Sequence, residues 1–189
     1  MQEQQLKDIV EGLDLYIVSH GGVASNSLNS FLMSKGIRCG YTDQDRYEDF
    51  CHYPKPLTDM TPCIYLHGDY GRAILSMHRR NFLVANAKKM LGIHWDTKIT
   101  LEELIRNNPS DPLGIWRQKT KFENSQNVWC LQYPYTTEKL DGIIKDMGIH
   151  VDVSTFPTRS RNTVDMTNVP EKDLPALQYI LSVYSTELF

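Results

Sequence analysis

Two stretches of the chain place polar residues directly after short apolar runs, where strands of a parallel sheet would end. The first reads SHGGVASNS, residues 19–27, and combines two glycines with hydroxyl and amide side chains. The second reads GDYGRAILSMHRR, residues 68–80, and combines an aspartate with three arginines. A glycine turn before a helix lets backbone N–H groups converge, and the helix N-terminus adds partial positive charge. Both stretches therefore predict contacts with an anion.

The first stretch lacks the lysine that a common phosphate-binding loop carries. The pattern GxxxxGK[ST] does not occur, and the next lysine is Lys35, at the end of the predicted helix. The loop therefore argues against an ordinary magnesium-dependent ATP or GTP hydrolase. The alternative interpretation is a tight strand-to-helix turn that needs glycine only for its backbone dihedral angles.

The second stretch offers an arginine and a hydroxyl on one side of a helix. Arg72 and Ser76 are four residues apart, so they share a helix face near its N-terminus. An arginine fork next to a hydroxyl suits a phosphate group. The alternative interpretation is that Arg72, Arg79 and Arg80 are solvated surface charges, as charged helix residues usually are.

Apolar runs and helical patterns alternate along the chain. Continuous apolar runs predict buried parallel strands at residues 15–19, 62–67 and 128–133, with a further short strand at 37–40. Helical spacing of apolar residues predicts helices over 26–35, 72–91, 101–106, 112–121, 137–147 and from 173 onward. This alternation predicts an α/β fold of three layers, αβα, around a central parallel sheet. We expect one domain over residues 1–189, because no linker or repeat divides the chain.

Composition narrows the functional classes. The net charge is −3 at pH 7, which argues against a general nucleic-acid or membrane binder. The four cysteines form no CxxC pair, so neither a zinc site nor a disulfide scaffold is predicted. The N-terminus is polar and acidic, unlike a signal peptide, and no apolar run approaches the roughly 18 residues that span a bilayer. These features predict a cytoplasmic protein with reduced thiols.

Taken in order, the segments resemble the sulfotransferases that use 3′-phosphoadenosine 5′-phosphosulfate. The glycine and serine loop is followed by a strand, the pattern D-x-x-x-A-x-x-S at residues 69–76, and a helix. DPLGIW (111–116), VWCLQYPYTTEKLDGIIKDMGI (128–149) and the tail from FPTRSRNTV (156–164) continue the likeness, which spans about residues 14–189. The resemblance implies a P-loop NTPase-like, sulfotransferase-like fold. It also implies metal-free transfer of a sulfuryl group to a hydroxyl or amine of a small-molecule or carbohydrate acceptor.

The resemblance also implies which residues bind the nucleotide. The first loop of that family wraps the 5′-phosphosulfate, which corresponds here to Gly21, Gly22, Val23, Ala24, Ser25, Asn26 and Ser27. The family's helix serine, matched by Ser76, holds the 3′-phosphate together with an arginine, a charge that Arg72 would supply. The late loop that reaches the nucleotide corresponds to Arg159, Arg161 and Asn162. The family's loop lysine falls near Gly22, and a protonated His20 could replace it in part. The alternative interpretation is that His20 only caps the end of the strand.

Sulfuryl transfer further needs a base for the acceptor's proton and positive charge around the moving group. The candidate bases are His52 and Glu48, in the polar segment at 41–61, and His67 and Asp69, at the end of a predicted strand. The tyrosines Tyr47, Tyr53, Tyr133 and Tyr135 could line a site for a sugar or phenol acceptor, and buried packing is the alternative role for most of them. Two other classes stay open: an unusual P-loop kinase with Asp69 as magnesium ligand, and a catalytically silent relative that binds a nucleotide or a partner protein.

Overall fold

The fold is built on a parallel sheet, seen in a computed structural model that describes residues 3–40, 50–157, 166–167 and 169–184. In these ranges the sheet has three strands, β1 (Tyr16–Ser19), β2 (Cys63–Gly68) and β3 (Val128–Tyr133), in that spatial order. Tyr16 pairs with Cys63, and Cys63 pairs with Val128. The three longer predicted strands and the α/β class with a parallel sheet are therefore confirmed.

Helices precede, connect and follow these strands. In chain order they are α1 (Glu3–Glu11), α2 (Ser25–Ser34), α3 (Tyr70–Arg79), α4 (Leu83–Leu91), α5 (Leu101–Asn107), α6 (Ile115–Glu123), α7 (Thr137–Asp146) and α8 (Leu174–Tyr184). A 3₁₀ turn, Glu171–Asp173, leads into α8. No helix in the described part of the chain has the length and apolar character needed to cross a membrane.

The apolar side chains form two packed clusters. One surrounds the sheet, where all four residues of β1 are buried, and it includes residues of α1, α2 and α7 such as Val10, Leu28 and Leu140. The other joins α3, α4, α5 and α8, for example through Met77 and Ile180. Continuous apolar strands are typical of a sheet covered on both faces, which explains why β1 and β2 carry almost no polar residue before their last positions.

The predicted strand at residues 37–40 is wrong. Arg38 instead bonds to Asp14 just before β1: the Asp14 N–H donates to the Arg38 carbonyl at 2.8 Å. The Arg38 N–H donates back to Asp14 Oδ2, also at 2.8 Å. The Asp14 carboxylate therefore accepts from the Arg38 backbone N–H, which in a strand would donate to a neighbouring strand.

The single helix predicted for residues 72–91 is also wrong, because it breaks into α3 and α4. Asn81 has a φ of +60°, in the left-handed region where asparagine is enriched. The Asn81 N–H donates to the His78 carbonyl and the Phe82 N–H to the Met77 carbonyl, both at 2.9 Å. These bonds close the end of α3. The break matters for the site described next, because it brings residues on both sides of Asn81 to one cavity.

Candidate anion-binding site

The turn between β1 and α2 lies at the carboxyl end of the sheet, next to the turn between β2 and α3. Three of its residues have positive φ: Gly21 at +100°, Gly22 at +70° and Ala24 at +63°. In parallel α/β sheets this edge is where ligands bind. The sequence prediction of a glycine-dependent turn after the first strand is confirmed.

Both glycines are also required by close packing. A Cβ on Gly22 would lie 2.7 Å from the Ala73 carbonyl oxygen, because α3 runs directly against the loop. A Cβ on Gly21 would lie 2.5 Å from Met77 Sδ and 2.6 Å from Asn86 Nδ2. The two glycines thus serve their dihedral angles and, in addition, let α3 and α4 pack against the back of the turn.

A chain of hydrogen bonds leads from the turn to the start of α2. The Gly21 N–H donates to Ser19 Oγ at 3.2 Å, and the Ser19 hydroxyl donates to Ser25 Oγ at 3.1 Å. Ser25 accepts within this chain, so its own hydrogen remains to be donated further. The residue before α2 is Ala24, which makes no side-chain cap. The positive end of this helix is therefore not neutralised by its capping residue.

A cavity of about 360 Å³ opens in front of this turn. Its lining residues come from the turn and from the α3–α4 break: Gly22, Ala24, Ser25, Asn26, Ser27, His52, Arg80, Phe82 and Asn86. Among these residues Arg80 carries a permanent positive charge and none carries a carboxylate. Hydroxyls, an uncapped helix N-terminus and a guanidinium around one cavity suit an anion.

The buried side chain of His52 lines one side of this cavity. Its Nδ1 lies 2.7 Å from the Ser19 carbonyl oxygen. A carbonyl oxygen can only accept, so Nδ1 carries a hydrogen and the neutral ring has its lone pair on Nε2. That tautomer is the one a general base needs if the acceptor approaches Nε2. Of the candidate bases in the described ranges, His52 is the one that lines this cavity.

His20 lies behind the turn rather than in the cavity. It is fully buried, and its ring centroid is 5.0 Å from that of Tyr70, on α3. It is not among the described residues that line the cavity. Its expected role as a replacement for the loop lysine stays a prediction, and the packing shows a histidine at the end of the buried strand.

Asp69 and Arg72 are engaged with each other at the second turn. Asp69 Oδ1 accepts from the Arg72 N–H at 2.9 Å and so caps α3, and Asp69 Oδ2 lies 3.1 Å from Arg72 Nε. Arg72, Asp69 and Ser76 are absent from the described lining of the cavity. Their expected roles in binding the 3′-phosphate and in catalysis stay predictions. Within the described ranges, no group of three His, Cys, Asp or Glu side chains is placed to hold a metal ion.

The remaining predicted residues fall into two groups. Val23 belongs to the turn, but its side chain is fully buried in the core. The others, Tyr47, Glu48, Arg159, Arg161 and Asn162, lie outside the described residues.

Two of the four tyrosines proposed for an acceptor site line a slot beside the loop. The slot is bounded by Ala24, Ser27, Tyr133, Pro134, Tyr135, Thr137, Phe156 and Pro157. Its volume is about 50 Å³, well below the roughly 150 Å³ of a cavity that admits benzene. Burial raises the pKa of Tyr135, and its hydroxyl has no hydrogen-bond partner among the described residues. The slot is polar at one point but too small for a sugar or phenol ring. Tyr53 lies elsewhere, with its hydroxyl 3.3 Å from Glu3 Oε2.

Sequence reasoning did not select Arg80, Phe82 or Asn86. A usable signal was present: His78, Arg79 and Arg80 place basic residues in the last turn of a helix, and an asparagine follows them. Basic residues followed by asparagine are typical of a helix end. The apolar spacing that continues to Leu91 obscured that signal, because it predicts one uninterrupted helix.

Comparison with known proteins adds no relative: no protein-family model matches the chain, and no curated protein or solved structure is significantly similar to it.

Proposed function

We propose that the protein is a sulfotransferase-like enzyme with a P-loop-type fold. It would move a sulfuryl group from 3′-phosphoadenosine 5′-phosphosulfate to a hydroxyl or amine acceptor. The observation that carries the proposal is the cavity in front of residues 19–27, lined by hydroxyls, an uncapped helix start and Arg80, with no carboxylate among its described lining residues. The ordered resemblance to the sulfotransferases supplies the reaction class, and the cavity supports the anionic ligand.

In this proposal the turn after β1 holds the 5′-phosphosulfate. The Ser25 hydroxyl, polarised by Ser19, donates to the anion, and the N-terminus of α2 adds its partial charge. Such preorganised donors stabilise negative charge that grows on the leaving phosphate during transfer. The turn thus does for the sulfuryl group what a phosphate-binding loop does for a phosphoryl group.

His52 would act as the base. The acceptor oxygen forms a bond to sulfur while its proton passes to His52 Nε2. The bond between sulfur and the bridging oxygen breaks, and 3′-phosphoadenosine 5′-phosphate leaves with that electron pair. The bond from His52 Nδ1 to the Ser19 carbonyl fixes the tautomer and would stabilise the imidazolium that forms.

An atypical P-loop kinase finds partial support. That class needs a cation at the loop, which Arg80 could provide, and a carboxylate for magnesium. Asp69 was the expected carboxylate, but it caps α3 and pairs with Arg72. We therefore favour transfer chemistry without magnesium, since Asp69 is engaged in this way and the described lining residues supply no other carboxylate.

Calorimetry with two nucleotides tests the proposal. We expect 3′-phosphoadenosine 5′-phosphate to bind, and ADP with magnesium to bind more weakly, because the described cavity lining offers no carboxylate for the metal. Tight binding of ADP with magnesium and no heat from the sulfotransferase product would overturn the proposal. If the product binds, incubation with the phosphosulfate donor and a library of phenols, sugars and amines tests turnover. Binding without turnover would assign the chain to the silent class.

A further inference from the structure

We propose that Arg80 supplies the positive charge that holds the 5′-anionic group at the turn after β1, in the place of the missing loop lysine. The inference rests on the proposed function for the identity of the nucleotide. The role of Arg80 follows from the geometry around it. In the sequence Arg80 is one of three arginines of the second stretch, and no pattern there places it at the first turn.

The break between α3 and α4 sets the position of Arg80. Arg80 follows the last residue of α3, and Asn81 then turns the chain with its φ of +60°. Phe82 and Asn86, on the far side of the break, line the same cavity as Arg80. An unbroken helix would send Arg80 and Phe82 in directions about 200° apart, since helical residues advance by roughly 100° each. The left-handed residue is thus what places both at the mouth of one site.

Two contacts hold the guanidinium in place. Arg80 Nε donates to the Ser76 carbonyl oxygen at 3.1 Å, which anchors the side chain to the end of α3. The Arg80 Cζ lies 5.6 Å from the centroid of the Phe82 ring, within the range of a cation–π contact. Within the described ranges Nη1 and Nη2 donate no hydrogen bond, and a guanidinium fork suits two-point binding of a phosphate or sulfate.

The positive charge of Arg80 is not neutralised by a carboxylate of the described residues. No acidic side chain in the described ranges forms an ion pair with it, whereas Arg72 is paired with Asp69 at 3.1 Å. Arg79, its neighbour in sequence, is exposed like Arg80, but it does not belong to the described cavity lining. Of the three arginines at residues 72–80, Arg80 therefore combines a charge without a carboxylate partner in the described ranges with a place at the cavity.

Calorimetry with 3′-phosphoadenosine 5′-phosphate tests the inference on four variants. Arg80→Ala should weaken binding by about 10- to 100-fold, the range of a hydrogen-bonded charge contact. Arg80→Lys should recover part of this loss, because it keeps the charge but not the fork. Arg79→Ala removes the same charge one residue away and should change the affinity by less than about threefold. Arg72→Ala tests whether the arginine that is paired with Asp69 contributes to nucleotide affinity. Thermal melts of all four variants confirm that they fold.

The outcomes separate the inference from the proposed function. If the wild type binds the nucleotide but Arg80→Ala binds equally well, or if Arg79→Ala loses as much, the role of Arg80 is overturned and the proposed function stands. If the wild type does not bind the nucleotide, the proposed function falls, and inorganic pyrophosphate is titrated into the wild type and Arg80→Ala instead. Pyrophosphate binding that Arg80→Ala weakens supports an anion site at Arg80. Absence of that binding, or equal binding in both proteins, overturns it.

Discussion

The turn after β1 and the turn after β2 start from the same architecture and end with opposite electrostatics. Both follow a parallel strand at the carboxyl edge of the sheet, and both lead into a helix of ten residues. At the first turn the helix begins after Ala24, which offers no cap. At the second turn Asp69 caps the helix and binds Arg72. The N-terminus of α2 is open to an anion from outside the protein, whereas the N-terminus of α3 is already occupied by the carboxylate of Asp69.

The difference lies in one side chain at the capping position. A carboxylate there satisfies an orphan N–H and offsets the helix dipole, so little is left for a ligand to satisfy. An alanine there leaves both unmet, which is a stable arrangement only if water or a ligand provides the acceptor. The capping residue therefore determines which of two similar helix starts keeps its backbone donors and its partial positive charge available to an anion.

The largest expected effect is on catalysis at the first turn. His52→Asn keeps a donor near the position of Nδ1, so the bond to the Ser19 carbonyl persists while the Nε2 base is lost. Turnover should fall by roughly 100-fold or more, the usual contribution of a general base, with nucleotide affinity nearly unchanged. Steady-state rates and calorimetry on the same sample measure both. Asp69→Asn keeps the cap and removes the carboxylate of the second turn. If Asp69→Asn lowers turnover as much as His52→Asn does, the catalytic base lies at the second turn.

The next largest effect is on folding. Gly22→Ala adds a Cβ that meets the Ala73 backbone at 2.7 Å, at a φ of +70°. The combined strain and overpacking should lower the free energy of unfolding by about 2–5 kcal/mol. Gly36→Ala is the matched control: its φ is +86°, but no atom lies within 4 Å of the added Cβ. It should lose only about 1–2 kcal/mol. Equal losses in urea denaturation would mean that α3 does not press against the turn.

A smaller effect should appear at the second turn. Asp69→Ala removes the cap of α3 and should cost about 1 kcal/mol of stability, whereas Asp69→Asn keeps a capping oxygen and should cost less. Neither variant should weaken nucleotide binding by more than about threefold, because this turn does not line the cavity. If either variant abolishes nucleotide binding while the protein stays folded, the second turn also binds the nucleotide, and the proposed difference between the two turns is wrong.

The smallest effect should come from the hydroxyl chain. Ser25→Ala removes the last donor of that chain and should weaken nucleotide binding by about 3- to 10-fold, the worth of one hydrogen bond. Ser30→Ala, an exposed serine on the same helix, should leave the affinity unchanged. Calorimetry on both proteins checks the pair. An equal change in both would show that α2 responds as a whole rather than through Ser25.

The sequence predicted the sheet better than the site. Continuous apolar runs predict β1, β2 and β3, and the pair Gly21-Gly22 predicts the turn after β1. Both signals are local in sequence. The break at Asn81 was missed because the apolar spacing runs through it. The signals for the break, basic residues followed by an asparagine that adopts a positive φ, are weaker than that spacing. Arg80 was therefore interpreted as one of several surface charges.

The positions of His52 and His20 show the same limit. Both are histidines near a polar turn, and no pattern in the sequence distinguishes them. The bond of His52 to Ser19, 33 residues away, and the packing of His20 on Tyr70, 50 residues away, are long-range contacts. Only the fold reveals which ring faces the cavity and which fills the space behind it.

The most direct test of the account is a nitrogen–proton correlation spectrum recorded while 3′-phosphoadenosine 5′-phosphate is titrated into the wild type. The account predicts the largest shifts for the backbone amides of Gly21, Gly22 and Ser25–Ser27, at the first turn. It predicts small shifts for Gly71–Ala73, at the second turn. Large shifts at Gly71–Ala73 with an unmoved first turn would contradict it, because the anion would then bind at the capped helix.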